Sequence, residues 1–209
     1  MQNVGGMWLP DGDEHFAKTF AVDGHYHQEK LIDLAMPYVK NRRLAFDVGA
    51  HVGYMTRKML EYFDHVVAWE PDQENYDCLK KNIDLSRATT WAWCLGDKSR
   101  HLGLSNPAPE NSGAWHIVDG GVGFWAGTID EGVWYLCPGL VKIDVQGMEG
   151  AVLRGGEKTI RAAKPVIIVE ANNNNGVSSL LEDWGARKVG FKRRDQIWAW
   201  IEAPPLLEK

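Results

Sequence analysis

The chain predicts an α/β sandwich, a mostly parallel seven-stranded sheet between helical layers that ends in an antiparallel hairpin. Three observations predict it. Short apolar runs alternate with segments of helical spacing, a glycine-bearing turn joins the first run to the first helix, and the chain closes on two neighbouring β-rich runs. With 209 residues, of which 44% are hydrophobic and 24% charged, one such domain with a short extra arm can bury a sizeable core.

Taken in order, Leu44 to Val48 is an apolar run that stops at Gly49, and Gly53 to Tyr62 follows with helical spacing. Val66 to Glu70 is the second strand, Pro71 sits at a helix start, and Tyr76, Leu79 and Ile83 mark one face of a helix over Asn75 to Leu85. Thr89 to Leu95 is the third strand. Gly96 to Gly139, rich in Gly, Pro and Trp, reads as an irregular insert of short hairpins and loops. The rhythm resumes with strand Leu140 to Val145, helix Glu149 to Ala162, strand Val166 to Glu170 and helix Val177 to Trp184. Strands Lys188 to Lys192 and Gln196 to Ile201, joined at Arg193 to Asp195, make the hairpin. Residues 1–40 form an amino-terminal arm whose helical part, Gln28 to Tyr38, is expected beside the ligand site, and the domain proper spans 41–203.

Composition narrows the function classes. With 23 basic and 28 acidic side chains the net charge is -5, so no global positive field holds a nucleic-acid backbone, although Lys188, Lys192, Arg193 and Arg194 form a local basic stripe. Cys78, Cys94 and Cys137 lack the spacing of a disulfide framework or a cysteine zinc site, which fits a reducing cytoplasm. The first ten residues do not read as a secretory signal, and no run of about 18 apolar residues offers a membrane span.

In a doubly wound sheet, ligands collect at the carboxyl ends of the strands, near the point where strand order reverses. There the loop Asp47-Val48-Gly49-Ala50-His51-Val52-Gly53 supplies two glycines for a tight turn and a close backbone approach. It has neither the G-x-G-x-x-G spacing of dinucleotide sites nor the Gly-Lys-Ser/Thr ending of phosphate loops. A cofactor without phosphates is therefore expected. Asp47 would repel a phosphate but accept from an amine, Glu70 is placed to accept both hydroxyls of a ribose, and Asp97 could accept from an adenine amino group. An amino-acid-bearing nucleoside satisfies all three.

These same residues carry a resemblance. Phe46 to Gly53, Glu70-Pro71, Val141-Lys142-Ile143-Asp144-Val145-Gln146-Gly147-Met148-Glu149, Leu153-Arg154-Gly155-Gly156 and Pro165 to Glu170 resemble the FkbM-type S-adenosylmethionine-dependent methyltransferases. The resemblance covers about Leu44 to Glu170 and implies the class I methyltransferase (Rossmann-like) fold, S-adenosyl-L-methionine as donor, and a sugar or macrolide hydroxyl as acceptor. One departure is Gln146, where the family usually has Glu.

Methyl transfer to a neutral hydroxyl needs alignment and a base. Asp144, ending the strand beside the first, is the expected base; Lys142, two residues earlier, could pair with it or steady the acceptor. Glu170 and the run Asn172 to Asn175 could converge with Asp144, which raises a magnesium site as an option, although an asparagine run is more often a turn. His15, His25, His27 and His51 are read as surface or hydrogen-bonded, His51 as a loop contact to the cofactor, and Tyr26 as a residue that could cover it from the arm. Trp115, Trp125 and Trp134 in the insert could stack on a sugar ring or base. The expected partner is a small-molecule or glycan acceptor; an RNA or nucleotide methyltransferase, or a donor-binding module without turnover, are the alternatives.

Overall fold

The computed structural model describes residues 1–23, 28–118, 123–133, 136–170 and 176–201. Along the chain come β1 (Gln2–Val4), β2 (Met7–Leu9), α1 (Glu14–Asp23), α2 (Glu29–Ala35), β3 (Leu44–Val48), α3 (Tyr54–Met59), β4 (His65–Trp69), α4 (Gln73–Asn82) and β5 (Ala88–Trp91). The insert holds β6 (Cys94–Leu95), β7 (Arg100–Ser105), β8 (His116–Val118), β9 (Gly123–Gly127) and α5 (Ile129–Gly132). Then follow β10 (Leu140–Ile143), α6 (Glu149–Gly155), α7 (Glu157–Ala163), β11 (Val166–Glu170), α8 (Val177–Asp183), β12 (Arg187–Lys192) and β13 (Asp195–Ala199).

The main sheet has seven strands in the order β12-β13-β11-β10-β3-β4-β5. Its five central and outer strands pair in parallel, and β12 and β13 are antiparallel. Strands covered on both faces are mostly apolar, and Leu140 to Ile143 is wholly buried, with Lys142 as its one charged residue. Period two divides the side chains. Ala45, Val66, Leu140 and Val166 face α2 and α3 through Leu31, Ile32, Met55 and Met59. Phe46, Val67, Val141 and Ile167 face α6, α7 and α8 through Val152, Leu153, Ile160 and Leu181. From β3 the chain first steps outward to β4 and β5, then returns to β10 on the other side, so the order reverses between β3 and β10.

The structure departs from the sequence reading at three elements. The expected third strand divides: β5 stays in the main sheet, while Cys94–Leu95 turns away to pair with β9. With it, the insert forms a four-stranded sheet, β6-β9-β7-β8, around Cys94, Leu102, Ala126 and Met148, more ordered than its composition suggests. The helix expected over Glu149 to Ala162 breaks between α6 and α7 at Gly155-Gly156, where two residues without Cβ weaken the helical backbone. The arm contributes a β1-β2 hairpin and α1 that periodicity had not marked. Asn82 fixes it, accepting from Trp8 N at 2.8 Å and donating to Trp8 O at 2.8 Å and Val52 O at 2.7 Å. Among the described residues no helix is long and apolar enough to cross a membrane.

Candidate active site

A cavity of about 530 Å³ opens at the reversal point. The loop after β3 forms one wall because Gly49 and Ala50 both donate their amides to Trp69 O, at 3.0 and 2.9 Å, folding the chain over the end of β4. Only glycine suits position 49: its φ is +78°, and a Cβ there would lie 1.9 Å from the Asp144 carbonyl. Gly53 caps α3 in the same left-handed region, with Leu79 packed against it. Gly53 and Ala50 therefore shape the loop from beneath, and neither lies on the cavity wall.

Glu70 does line the cavity. Its Oε2 accepts from His51 N at 2.8 Å and its Oε1 from Asp72 N at 2.9 Å. Burial pushes its carboxyl up to about 7, with those two amides working in the opposite direction. Beside it Asn75 is almost fully buried, donates to Ser112 O at 2.9 Å and leaves its Oδ1 without a hydrogen-bond partner.

Asp47 and Lys142 are register partners on β3 and β10. Sequence reasoning puts Asp47 at the cofactor and Lys142 beside Asp144 or the acceptor; in the structure Lys142 and Asp47 pair with each other, and the Asp144 charge also acts on Lys142. Lys142 Nζ lies 3.1 Å from Asp47 Oδ1 and donates to Gly49 O at 2.6 Å, while Thr56 Oγ1 donates to Asp47 Oδ2 at 2.6 Å. Both side chains are buried and absent from the cavity wall. Lys142 reaches Asp47 because the two lie opposite one another in the β3–β10 ladder, while Asp144 follows the last residue of β10. Burial alone would lower the Lys142 pKa, but the Asp47 and Asp144 charges outweigh it and keep the ammonium protonated.

Asp144, Gln146, Glu170 and Asp195 also line the cavity, with Arg193 and Arg194 on the same wall. Gln146 Nε2 donates to Asp144 Oδ1 at 3.0 Å, a bond a Glu at this position could make only when protonated. Burial raises the Glu170 pKa, the Asp144, Glu149 and Asp195 charges add to it, and Arg194, 3.8 Å away, opposes it. Asp97, expected at the adenine, is exposed, pairs with Arg100 at 3.7 Å and lies off the wall, because β6 carries the chain past the cavity first.

Sequence reasoning missed a polar chain. His51 Nε2 lies 2.6 Å from Ser112 Oγ, which in turn hydrogen-bonds Asp13 Oδ2, so arm, insert and loop meet at one point. Burial, with the Lys142 and His15 charges, pushes the His51 pKa down to about 3, so its imidazole is neutral. Nothing in the sequence marks Ser112 or Asn75, which come from the insert and from a helix face. Tyr26, His25, His27, Trp134 and Asn172 to Asn175 lie outside the described residues. Among the described residues no group of three or more His, Cys, Asp or Glu could hold a metal ion, so the magnesium option gains no support.

The family model of the FkbM methyltransferase domain matches residues 47–192. The chain belongs to the FkbM methyltransferase family. Among solved structures, the chain is similar to a methyltransferase FkbM from Methylobacillus flagellatus, with 17% identity, a TM-score of 0.54, and coverage of 92% of this chain but 48% of that one. It also resembles a putative methyltransferase from Escherichia coli, at 14% identity and TM-score 0.54 over 92% of this chain and 89% of the other. A putative tRNA (m1A22) methyltransferase from Streptococcus pneumoniae aligns at 13% identity and TM-score 0.50 over 84% and 72%. At such identities these likenesses bear on the fold, the Rossmann-like class I methyltransferase sandwich. No curated protein matches the chain. The FkbM chain thus spans about half the length of the first of these structures.

Proposed function

We propose that the protein transfers a methyl group from S-adenosyl-L-methionine to a hydroxyl of a sugar or other small molecule. The observation that carries this reading is the cavity where the Gly49 turn, the Glu70 carboxylate and Asp144 converge at the sheet's reversal point. Its residues fit an amino-acid-bearing nucleoside: a backbone turn that tolerates no Cβ, a buried carboxylate for ribose hydroxyls, and an orphaned Asn75 Oδ1 for a further donor. Gly49, His51, Glu70 and Asn75 would hold the donor directly. Asp47, Ala50, Gly53 and Lys142 act as positioning residues, because they hold the loop without reaching the cavity. When bound, the sulfonium supplies the activated methyl group.

Asp144 is assigned as the base that takes the acceptor proton, oriented by Gln146, with Glu170 as a further carboxylate on the same cavity wall. Calorimetric titration tests the donor site. The wild-type protein is expected to bind S-adenosylmethionine and its demethylated product, and Glu70→Ala to weaken both about tenfold or more. A folded wild-type protein that binds neither overturns the reading. With a labelled donor and a panel of hydroxylated acceptors, Asp144→Asn is expected to lower kcat by about 10²–10⁴ while donor affinity stays within about threefold.

Arg193 and Arg194 favour a second reading, in which the acceptor carries a phosphate and is a nucleotide. Label appearing in nucleotides or RNA, and in no sugar, selects it.

A further inference from the structure

A second cleft, of about 320 Å³, shares Trp69 and Leu95 with the proposed donor cavity. That is the low end of the size range for small-molecule pockets, room for one compact group. Four of the ten tryptophans build it: Trp69 at the end of β4, Trp91 at the end of β5, Trp93 just beyond, and Trp125 on β9. Trp91 and Trp93 stack on one another with ring centroids 4.5 Å apart and an interplanar angle of 17°. Trp91 is 37% and Trp125 48% exposed, so the fold leaves two large indoles facing water where burial would have stabilised it.

The polar groups of the cleft are few and engage one another. Ser99 Oγ donates to Glu131 Oε2 at 2.5 Å, and Glu131 N donates to Thr128 Oγ1 at 3.0 Å. Among the described lining residues Glu131 bears the one formal charge, and no Lys, Arg or His accompanies it. An anion finds no counter-charge there. A sugar, which needs donors and acceptors around its rim, meets a Ser99 hydroxyl already donating inward. A weakly hydrated cation meets indole π-faces, the strongest aromatic partners for positive charge, and a carboxylate.

We propose that this cleft binds a compact organic cation, an alkylated or quaternary ammonium group, between the tryptophans and Glu131. The site does not depend on the methyl-transfer reading, since binding alone tests it.

Choline is the probe, with its neutral carbon isostere and a methyl glucoside as controls, followed by the indole N–H resonances of isotope-labelled protein. Choline is expected to shift the Trp91, Trp93 and Trp125 signals saturably, and to bind about tenfold more tightly than the isostere or the glucoside. Trp91→Ala, Trp125→Ala and Glu131→Gln are expected to weaken it about threefold to thirtyfold each. All three positions are exposed, and an unchanged Tm checks that each variant folds. A peptide carrying trimethyl-lysine presents the same group from a protein instead of a metabolite, and saturable binding of either supports the proposal. Binding of neither, equal or tighter binding of the isostere or glucoside, or a Glu131→Gln variant that binds as the wild type does, overturns it.

Discussion

Lys142 and Asp47 show how a residue with chemistry in its side chain can serve position instead. Their charges are buried side by side, and the ammonium also holds the Gly49 carbonyl. Removing one partner of such a pair leaves an uncompensated buried charge, so Lys142→Met is expected to cost about 3–5 kcal/mol. The double variant Lys142→Met/Asp47→Asn, which removes both charges and keeps an acceptor for Thr56, is expected to recover most of that; denaturant midpoints measure it. Glu70 and His51 make stability depend on pH in opposite directions. The folded pKa of Glu70 is about 7 against an ordinary 4.5, so folding favours the protonated form: the contribution is complete below about pH 4.5 and is lost as pH rises through about 7. His51 runs the other way, its folded value of about 3 lying below 6.5, so its contribution is present above about pH 6.5 and lost as pH falls towards 3. Comparing the wild type with Glu70→Gln isolates the first. The wild type is expected to lose on the order of 3 kcal/mol relative to that variant between about pH 4.5 and pH 8, read from unfolding curves at each pH.

At the scale of elements, the central strands were legible because a run buried on both faces is mostly apolar, with Asp47 and Lys142 the charged exceptions in β3 and β10. Leu44–Val48 and Val166–Glu170 are found at the residues expected. Where an element's boundary depended on a neighbour, the sequence was silent. Cys94–Leu95 continues the apolar character of β5, and only the presence of β9 draws it into another sheet. The arm's hairpin was illegible for a like reason: three-residue strands carry too little period to register, and their place is set by α4. Asn82 is the joint. Asn82→Ala would leave the Trp8 amide and two carbonyls without their partner and is expected to cost about 2 kcal/mol or more, with faster amide hydrogen exchange at Trp8 than in the wild type.

For the whole molecule, a net charge of -5 sets the terms of association. Two arginines on the cavity wall are offset by Asp144, Glu170 and Asp195 on the same wall, so single-stranded oligonucleotides are expected to show no saturable binding at physiological salt. If both arginines did contact phosphates, affinity would fall with salt at a log–log slope of about -1.4, which a titration at several ionic strengths detects. By itself the sequence determined the alternation of strands and helices, the glycine turn after β3, the acidic end of β4 and the Asp144 position. Those properties are local, since hydrophobic period and backbone freedom belong to neighbouring residues. The tertiary structure alone decided that Lys142 serves Asp47, that Asp13 and Ser112, 99 residues apart, complete a chain to His51, that Asp97 stands off the cavity, and that four scattered tryptophans share one cleft. Each of these joins residues distant along the chain, and which of them meet depends on how whole faces pack, a property no single stretch of sequence carries.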